Sequence, residues 1–389
     1  MSSKQVDLGF FNGDYPPWGT EKEFQEFELE SRYFPSKIGG KPAWLDLVNL
    51  PTPDQLECKQ CGIQTKFLLQ IYSPDDKVPH GFHRTLYVFI CVQNSCWNNR
   101  ENGSPVIVLR NQLSRENRFY PADPPEEKTG WRTDIQAEQY GTLCSVCGCH
   151  GTKMCGRCKT VNYCSQIHQK LDWSKGHKKE CQVGCTYSGP HHIEAFIEGL
   201  IEIEEEPEKK AENISDLNYP GVEIGEMVAE DISGAADEEF EEVEAAQAED
   251  KASEKFNERI KRAPHQIVRY DRDGSPLLCS YSGSNFTPGQ CSACSSDLSF
   301  EFQIMPQVLS LLNLGSDLEG GLDFGSIYIY TCSRSCSTEG YVLEQSHILD
   351  FVIFAQEQYR RICSGSQILD FVIFAGAAVQ KVMSWITNP

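Results

Sequence analysis

The first residues of the 389-residue sequence do not predict a secretory signal. These residues, MSSKQVDLGFFNGDYPPWG, contain neither the basic start nor the apolar run of about 7–15 residues that a secretory signal needs. We therefore expect a protein of the cytosol and nucleus. Thiols in these compartments stay reduced, so disulfides are not expected to hold the fold together.

Uninterrupted apolar segments are also scarce. The stretch 368–386 is long enough to span a bilayer, but Asp370, Gln380 and Lys381 interrupt it, so we do not expect membrane insertion. It lies in an atypical apolar tail, 361–389, and the strand-like SHILDFVIFA at 346–355 returns as SQILDFVIFA at 366–375. A tandem duplication or a faulty gene model explains the second copy as well as a function does.

Basic residues are fewer than acidic residues. The formal net charge is −21, and residues 202–254 contain 20 Asp and Glu but only three Lys, a net charge of −17. Few aromatic side chains, scattered Gly and Pro, and repelling charges predict a disordered acidic linker over 200–258. Such a chain repels nucleic acid and anionic membranes, so a basic protein is the expected partner. The densest acids, which are candidate contacts for that partner, are Glu238, Glu239, Glu241 and Glu242.

Catalytic motifs are missing as well. The sequence contains no dinucleotide-binding or phosphate-binding glycine loop, no metalloprotease helix and no nucleophile elbow. HGFHR, with His80, His83 and Arg84, has no nucleophile with a partnered base nearby, so we interpret His83 as structural. We do not expect an enzyme.

Cysteine, by contrast, is abundant, with 18 residues, and in a reducing compartment it indicates metal ligands. Seven cysteines and three histidines fall within LCSVCGCHGTKMCGRCKTVNYCSQIHQKLDWSKGHKKEC, residues 143–181. Eight of these ten residues form closely spaced pairs: Cys144 with Cys147, Cys155 with Cys158, Cys164 with His168, and His177 with Cys181. Eight ligands suit two closed tetrahedral zinc sites.

Short spacers disfavour joining neighbouring pairs, so the sites should interleave. The predicted sets are Cys144, Cys147, Cys164 and His168 on one zinc, and Cys155, Cys158, His177 and Cys181 on the other. Cys149 and His150 are left over. Reduced thiols argue against a disulfide framework, and imidazole ligands suit zinc better than an iron–sulfur cluster. With all four positions around each metal filled by protein, the sites should be structural.

This segment resembles a MYND zinc finger, here spanning 140–185, through CSVC, CGRC and the pairs Tyr163-Cys164 and Asp172-Trp173. Most members have cysteine where this chain has His168. The resemblance implies binding of short proline-containing peptides, with Gln169 and Trp173 as candidate contacts. A buried structural role for Trp173 is the alternative.

The segments on either side of the finger and linker repeat each other. When Cys61 is set on Cys294, Phe67 falls on Phe300 and Gln70 on Gln303. The pattern predicts a mainly β, or α+β, protein whose pseudo-duplicated β-rich domain, 1–130 and 262–360, is split by the finger and the acidic linker. Each half offers four thiols spaced as in a zinc ribbon: Cys58, Cys61, Cys91 and Cys96, and Cys291, Cys294, Cys332 and Cys336. These thiols could hold one further zinc per half, or line a core as buried cysteines.

The whole order of modules resembles the programmed cell death protein 2 family over residues 5–345. The motifs are LGFFNGDYPPW, SKIGGKPAWLD, CKQCGIQTKFLLQIYSP, FHRTLYVFICVQNSCW, the finger, FEFQIMPQVLSLL and YIYTCSRSC. The resemblance implies a split β-rich domain without catalysis. It also implies a dedicated chaperone for a newly made small-subunit ribosomal protein in 40S ribosome biogenesis, in cytoplasm and nucleus.

Two other functions remain open at this stage. A nuclear corepressor-type adaptor would use the finger to bind proline-containing peptides in transcription or apoptosis regulation. Nucleic-acid binding is conceivable from the local charge of +5 over 144–181, but the acidic linker would compete for that surface.

Overall fold

The computed structural model describes residues 5–13, 25–98, 104–182, 195–208, 251–281, 286–315, 321–336 and 340–349. The predicted contacts Glu238, Glu239, Glu241 and Glu242 lie outside these ranges, as does the repeated tail beyond Leu349. Within the described ranges, every helix is too short or too polar to cross a bilayer.

Ten strands of the described chain form one closed antiparallel barrel, and two more form a small separate sheet. The strands are β1 (Asp7–Asn12), β2 (Lys37–Ile38), β3 (Lys66–Tyr72), β4 (His83–Ile90), β5 (Val106–Leu113), β6 (Lys153–Met154), β7 (Asn162–Tyr163), β8 (Gly199–Glu205), β9 (Gln266–Tyr270), β10 (Leu298–Ile304), β11 (Ser326–Cys332) and β12 (Val342–Leu349). The order around the barrel is β1-β8-β2-β3-β4-β5-β12-β11-β10-β9, and β9 returns to β1. The prediction of a mainly β fold is confirmed.

The helices are short and connect or cover the strands. They are α1 (Ser95–Asn98), α2 (Ala137–Tyr140), α3 (Gln166–Asp172), α4 (Lys178–Glu180), α5 (251–262) and α6 (Gln307–Leu311), and a π turn, Trp173–His177, joins α3 to α4. Single 3₁₀ turns occupy Glu26–Leu29, Ser31–Tyr33, Pro53–Leu56 and Pro79–Gly81.

The predicted duplication is present in the barrel. We call β2-β3-β4-β5 the N-terminal half and β9-β10-β11-β12 the C-terminal half; each is a run of neighbouring antiparallel strands. The halves meet where β5 pairs with β12, with Arg110 opposite Val342. Equivalent irregularities mark both copies, because the register shifts after Phe67 in β3 and after Phe300 in β10.

The strand that precedes each half along the chain pairs with the other half. Strand β1 pairs with β9 of the C-terminal half, whereas β8 pairs with β2 of the N-terminal half, and β1 and β8 pair with each other. The two halves therefore complete one barrel rather than two separate modules. Closing the sheet gives every strand of the barrel a partner on both sides.

The prediction of an acidic linker over 200–258 is wrong at both ends of that range. Residues 200–205 belong to β8 and residues 251–258 lie in α5. In IEIE, residues 201–204, isoleucine alternates with glutamate; Ile201 is buried, Glu202 is half-buried, and Ile203 and Glu204 are exposed. Composition averaged over the whole segment hides this two-residue period, which is the signal of a half-buried strand.

The apolar core has three layers. The largest cluster fills the barrel with alternate residues of its strands, such as Leu86 and Val88 of β4 and Val108 of β5. On the outer face of the N-terminal half, Tyr87 and Phe89 pack under loops and the finger. On the outer face of the C-terminal half, Phe300, Tyr328 and Tyr330 pack under α5 and the segment before β10.

Ion pairs cross between the halves at one end of the barrel. The three pairs are Arg84 with Glu301, Arg110 with Glu344, and Asp75 with Arg272, at N···O distances of 2.5, 2.5 and 2.7 Å. The His80, His83 and Arg84 of HGFHR lie in or beside this network. Buried charges are costly unless paired in good geometry, so the pairs favour one arrangement of the two halves.

Candidate metal centres

The sixteen predicted ligands gather into four compact groups in the described chain. The first finger centre is Cys144, Cys147, Cys164 and His168, the second finger centre is Cys155, Cys158, His177 and Cys181, the N-terminal centre is Cys58, Cys61, Cys91 and Cys96, and the C-terminal centre is Cys291, Cys294, Cys332 and Cys336. Within each group, the ligand atoms lie within 4.8 Å of one another. The interleaved grouping predicted from spacing is the grouping found in the structure.

The sulfur–sulfur distances fit metal ligation. Four sulfurs about 2.3 Å from one zinc lie about 3.8 Å apart in a tetrahedron, whereas a disulfide brings two sulfurs to about 2.05 Å. The observed Sγ–Sγ distances are 3.6 Å for Cys147–Cys164, 3.7 Å for Cys155–Cys181, 3.7 Å for Cys61–Cys91, 3.7 Å for Cys291–Cys336 and 3.6 Å for Cys294–Cys332. The donor sets therefore fit zinc and not disulfides.

One turn geometry builds all four Cys-x-x-Cys corners. The residue after the second cysteine has a positive φ and donates its N–H to the carbonyl of the first cysteine, at 2.8–2.9 Å. These residues are Gly62, Gly148, Lys159 and Ser295, with φ of 69°, 70°, 58° and 57°. The turn points both sulfurs of a corner to one side. The spacing of the cysteines in the sequence does not by itself show this orientation.

Histidine completes each finger centre. His168 Nδ1 lies 3.1 Å from Cys164 Sγ, and His177 Nε2 lies 3.4 Å from Cys155 Sγ. The Ser165 side chain caps α3 by accepting the His168 N–H at 3.2 Å, which fixes the first turn that carries this ligand. Four protein donors surround each centre, so neither leaves a coordination position for a reactive water.

The pKa of one cysteine in each Cys-x-x-Cys corner is lowered, at Cys58, Cys144, Cys158 and Cys294, whereas burial and neighbouring thiols raise the pKa of other ligands such as Cys91 and Cys147. Burial would raise the pKa of Cys158, but backbone hydrogen bonds from Thr160 and Val161 outweigh it and lower the pKa to about 6. A hydrogen bond with Ser296 likewise lowers the pKa of Cys294 to about 6. Thiolate is the form that binds metal.

The residues that identify the finger by sequence hold it together. The Tyr163 hydroxyl donates to the Asp172 carboxylate at 2.8 Å, and both residues are fully buried. The candidate peptide contacts Gln169 and Trp173 are half-buried, and the Trp173 ring packs edge-on against His177 at 5.8 Å.

Two exposed apolar residues of the finger were missed in the sequence. Met154 of β6 is 54% exposed and Ile167 of α3 is 60% exposed. Neither lies in a pattern that distinguishes a surface residue from a core residue in so small a domain, because the metal centres replace much of the apolar core there.

The finger is packed on the barrel rather than tethered to it. Trp44, which is fully buried, donates its indole N–H to the Gly148 carbonyl at 2.8 Å. The unassigned Cys149 is buried in the same outer cluster as Trp44, Tyr87 and Phe89. The residue left over by the ligand count thus forms part of the contact between finger and barrel.

Comparisons with known proteins agree with this architecture. Sequence profiles of the programmed cell death protein 2 N-terminal and C-terminal domains match residues 5–127 and 250–357, and the MYND finger profile matches 144–181. No solved structure gives a significant match to the chain.

Individual relatives match most of the chain. The chain is 37% identical to programmed cell death protein 2 of Rattus norvegicus over 355 residues, which is 87% of this chain and 96% of that protein. It is 37% identical to the Bos taurus protein over 361 residues, 88% of this chain and 97% of that protein. A shorter match, 34% over 94 residues, covers 21% of this chain and 22% of a Schizosaccharomyces pombe protein named probable 20S rRNA accumulation protein 4. The chain belongs to the programmed cell death protein 2 family, with a zinc-binding MYND finger between its two family domains.

Proposed function

We propose that this protein is a non-catalytic chaperone and adaptor that binds a newly made, basic small-subunit ribosomal protein during 40S ribosome biogenesis. The acidic segment, residues 202–254, supplies negative charge, and the barrel with its metal centres supplies a rigid surface. A cationic ribosomal protein outside the ribosome binds nucleic acid indiscriminately, and an acidic partner screens its charge.

The observation that carries this proposal is the way the acidic segment joins the barrel. It leaves the barrel after β8 and returns through α5, and Arg259 of α5 donates to the Glu206 carboxylate beyond β8, at 2.7 Å from Nε. Arg269 of β9 donates to the same carboxylate at 2.9 Å. The segment between β8 and α5, which we call the acidic loop, therefore has its two ends joined to each other on the barrel.

The base of the loop is held by charge. The Glu206 side chain is only 7% exposed. Burial raises its pKa, but the hydrogen bonds and charges of Arg259 and Arg269 outweigh burial, so the pKa is lowered. The ionised carboxylate thus keeps both ends of the loop together at neutral pH.

A relative supports the link to ribosomes. The name of the Schizosaccharomyces pombe protein refers to accumulation of 20S rRNA, and a chaperone for a small-subunit protein would act in the same process. We place the protein in the cytoplasm and nucleus, where ribosomal proteins are made and assembled.

We also propose that the chain binds four zinc ions, two in the finger and one in each half of the barrel. Metal analysis of the purified full chain should give four zinc per molecule. Cys164→Ala and Cys294→Ser should each lower this number to three. A wild-type value of two would restrict zinc to the finger.

The chaperone function is tested by recovering the partner. The tagged full chain is purified from ribosome-producing cells, bound proteins are eluted in steps of rising salt, and each step is analysed by mass spectrometry. We expect a near-stoichiometric basic small-subunit ribosomal protein that elutes as the ionic strength screens the acidic loop. A stoichiometric partner without excess positive charge would overturn the proposal.

Two matched variants test whether the partner binds the acidic loop or responds only to the net charge of the whole protein. Replacing Glu238, Glu239, Glu241 and Glu242 with Gln should lower the salt concentration at which the partner elutes. The control replaces four exposed acids between β5 and the finger, Glu116, Asp123, Glu127 and Glu138, with Gln and changes the net charge equally. If both variants lower the eluting salt concentration equally, the acidic loop has no specific role in binding the partner.

A second candidate function rests on the finger surface. Met154 and Ile167 are exposed, and Gln169 and Trp173 are half-buried on the same small domain. An apolar surface with a partly exposed tryptophan suits a proline-containing peptide, as a corepressor-type adaptor would require. Titration of such a peptide into the full chain, and into Ile167→Ser and Trp173→Ala, tests this function; equal binding to all three proteins would exclude it.

A further inference from the structure

The two barrel centres are equivalent in sequence but differ in their surroundings. In the N-terminal centre, the segment Cys91–Cys96 bonds within its own half, because Gln60 donates to the Cys96 carbonyl at 2.8 Å and Trp97 donates to the Cys91 carbonyl at 2.7 Å. Its described contact with the other half is apolar, through the stacking of Trp97 on Phe324 at 5.3 Å.

The C-terminal centre is bonded across the junction of the halves. The buried ion pair of Arg110 on β5 and Glu344 on β12 lies on the junction. Glu344 accepts the Cys332 N–H at 3.1 Å. Arg110 donates to the Cys336 carbonyl at 3.1 Å and to the Cys336 sulfur at 3.4 Å. One ion pair therefore contacts two ligands of this centre.

Ser335 adds a second set of contacts across the junction. It is fully buried with a φ of 45°, and its carbonyl accepts a hydrogen bond from His80 Nε2 at 2.6 Å. Its hydroxyl donates to Asp75 at 2.5 Å and accepts from Arg272 at 2.5 Å. His80 and Asp75 precede β4, so the loop between two ligands of the C-terminal centre is held by the N-terminal half.

We propose that the C-terminal centre is a zinc clasp that joins the two halves of the barrel, and that Arg110 is its positioning residue. The proposal rests on the zinc content proposed above. Zinc fixes the sulfurs of Cys332 and Cys336, and the segment between them is then held in the shape that His80, Asp75 and Arg110 bind. The N-terminal centre has no such set of polar contacts across the junction in the described residues, so its zinc acts locally.

A pair of equivalent variants tests the clasp. Cys61 and Cys294 occupy matching positions in the two centres and both are exposed, so replacement with Ser removes one ligand from each without creating a cavity. Hydrogen exchange is then measured across the full chain. We expect Cys294→Ser to raise exchange about tenfold in Pro79–Gly81 and in β5, far along the sequence from the mutation. Cys61→Ser should raise exchange near Cys91–Asn98 and leave β5 unchanged.

If zinc at the C-terminal centre stabilises the contacts of Arg110, then Arg110 must also stabilise zinc binding, because linkage between two sites is reciprocal. Loss of a polar neighbour of a metal ligand typically weakens metal binding by about 10- to 100-fold. Arg110→Gln should therefore speed the release of one of the four zinc ions to a chelator by about that factor. It should also shift the absorption of the cobalt-substituted protein, which a merely structural role would not do. The control is Arg115→Gln, at an exposed arginine just beyond β5.

The outcomes distinguish a failure of the zinc clasp from a failure of the proposed zinc content. If Cys294→Ser loses no zinc, the C-terminal centre does not bind zinc and the proposed metal content is wrong. If it loses one zinc but exchange in β5 is unchanged, the metal content stands and the clasp is wrong. Should Arg110→Gln fail to fold, the Cys294→Ser comparison still decides the question, because it leaves the ion pair intact.

Discussion

Gln70 of the N-terminal half and Gln303 of the C-terminal half make the same pair of hydrogen bonds. Gln70 accepts the Ala43 N–H at 2.8 Å and donates to the Ala43 carbonyl at 3.2 Å. Gln303 does the same with Leu277, at 2.8 and 3.1 Å. Each glutamine side chain thus binds an extended segment to the outer face of its half, as a neighbouring strand would.

A tyrosine completes each of these contacts. The Tyr87 hydroxyl accepts from Leu45 N–H at 2.8 Å and donates to the Ala43 carbonyl at 3.1 Å. Tyr328 repeats this with Cys279 and Leu277, at 3.3 and 3.2 Å. The duplication therefore extends to the polar contacts that hold the covering segments, GKPAWL and GSPLLC.

Replacing either glutamine with leucine should destabilise the barrel to a similar degree. Gln70→Leu and Gln303→Leu each leave a buried backbone N–H unpaired, which costs about 1–3 kcal/mol. Urea unfolding followed by tryptophan fluorescence measures the loss. Gln139→Leu, at an exposed position, is the control. A free energy of unfolding equal to wild type in both variants would contradict a stabilising role for these bonds, and a loss in only one variant would contradict their equivalence.

Removing the Trp44 side chain should detach the finger from the barrel. Trp44→Ala removes the bond to Gly148 and a fully buried indole, and such truncations cost about 3–5 kcal/mol. We expect faster hydrogen exchange at 143–149, with an unchanged zinc content because no ligand is altered. Trp173→Ala, within the finger, should leave exchange in the barrel unchanged. Unaltered exchange at 143–149 in Trp44→Ala would show that the contact is dispensable.

The buried pair Arg84–Glu301 should show strong coupling in a double-mutant cycle. Both side chains are 0% exposed; burial alone would raise the pKa of Glu301, but the Arg84 guanidinium outweighs it and holds the pKa at about 2. Arg84→Met leaves a buried carboxylate unpaired, at a cost of about 3–5 kcal/mol. Arg84→Met with Glu301→Leu should recover much of that loss.

The surface pair Arg132–Asp134 is the matched comparison for this cycle. Its side chains are 40% and 63% exposed, and exposed pairs contribute about 0–1 kcal/mol. Arg132→Met should therefore change the free energy of unfolding little. If the effects of Arg84→Met and Glu301→Leu simply add, the two residues do not stabilise each other.

Stability should fall with acid because of His83. Burial lowers the pKa of His83 from 6.5 to about 4, and the ring lies 3.0 Å from the Tyr72 hydroxyl and stacks on Phe34 at 4.2 Å. The unfolded chain takes up a proton below pH 6.5 while the folded chain does not. The stabilisation is complete above pH 6.5 and is lost as the pH falls from about 6.5 to 4.

His83→Gln removes this titration, so its free energy of unfolding should depend less steeply on pH in that window than that of wild type. Zinc release at low pH is common to both proteins, so it cancels in the difference between their free energies of unfolding. His265→Gln, at an exposed histidine, should retain the wild-type slope. Parallel pH profiles for wild type and His83→Gln would contradict the lowered pKa.

The sequence was sufficient for the features that depend on nearby residues. The ligand sets of the finger follow from the spacing of Cys144, Cys164 and Cys181 and from the four ligands that a zinc ion needs. The duplication is visible because Phe67, Gln70 and their counterparts keep their spacing. Each signal lies within some tens of residues, where the chain itself limits the geometry.

The acidic linker shows where such reasoning fails. The ends of the segment are β8 and α5, which are stabilised by partners far away in sequence: Glu206 pairs with Arg269, and Ile201 packs inside the barrel. Composition carries no information about those partners.

By itself, the sequence determined that this protein is a duplicated β-rich chain interrupted by a MYND zinc finger, because ligand number and local periodicity are properties of short segments. Only the tertiary structure decided that β1 pairs with the C-terminal half and β8 with the N-terminal half, that Trp44 fixes the finger to the barrel, and that Arg110 and Glu344 join the halves beside Cys336. The physical reason is that these contacts join residues 104 to 234 positions apart. Barrel closure, rather than local preference, brings such residues together.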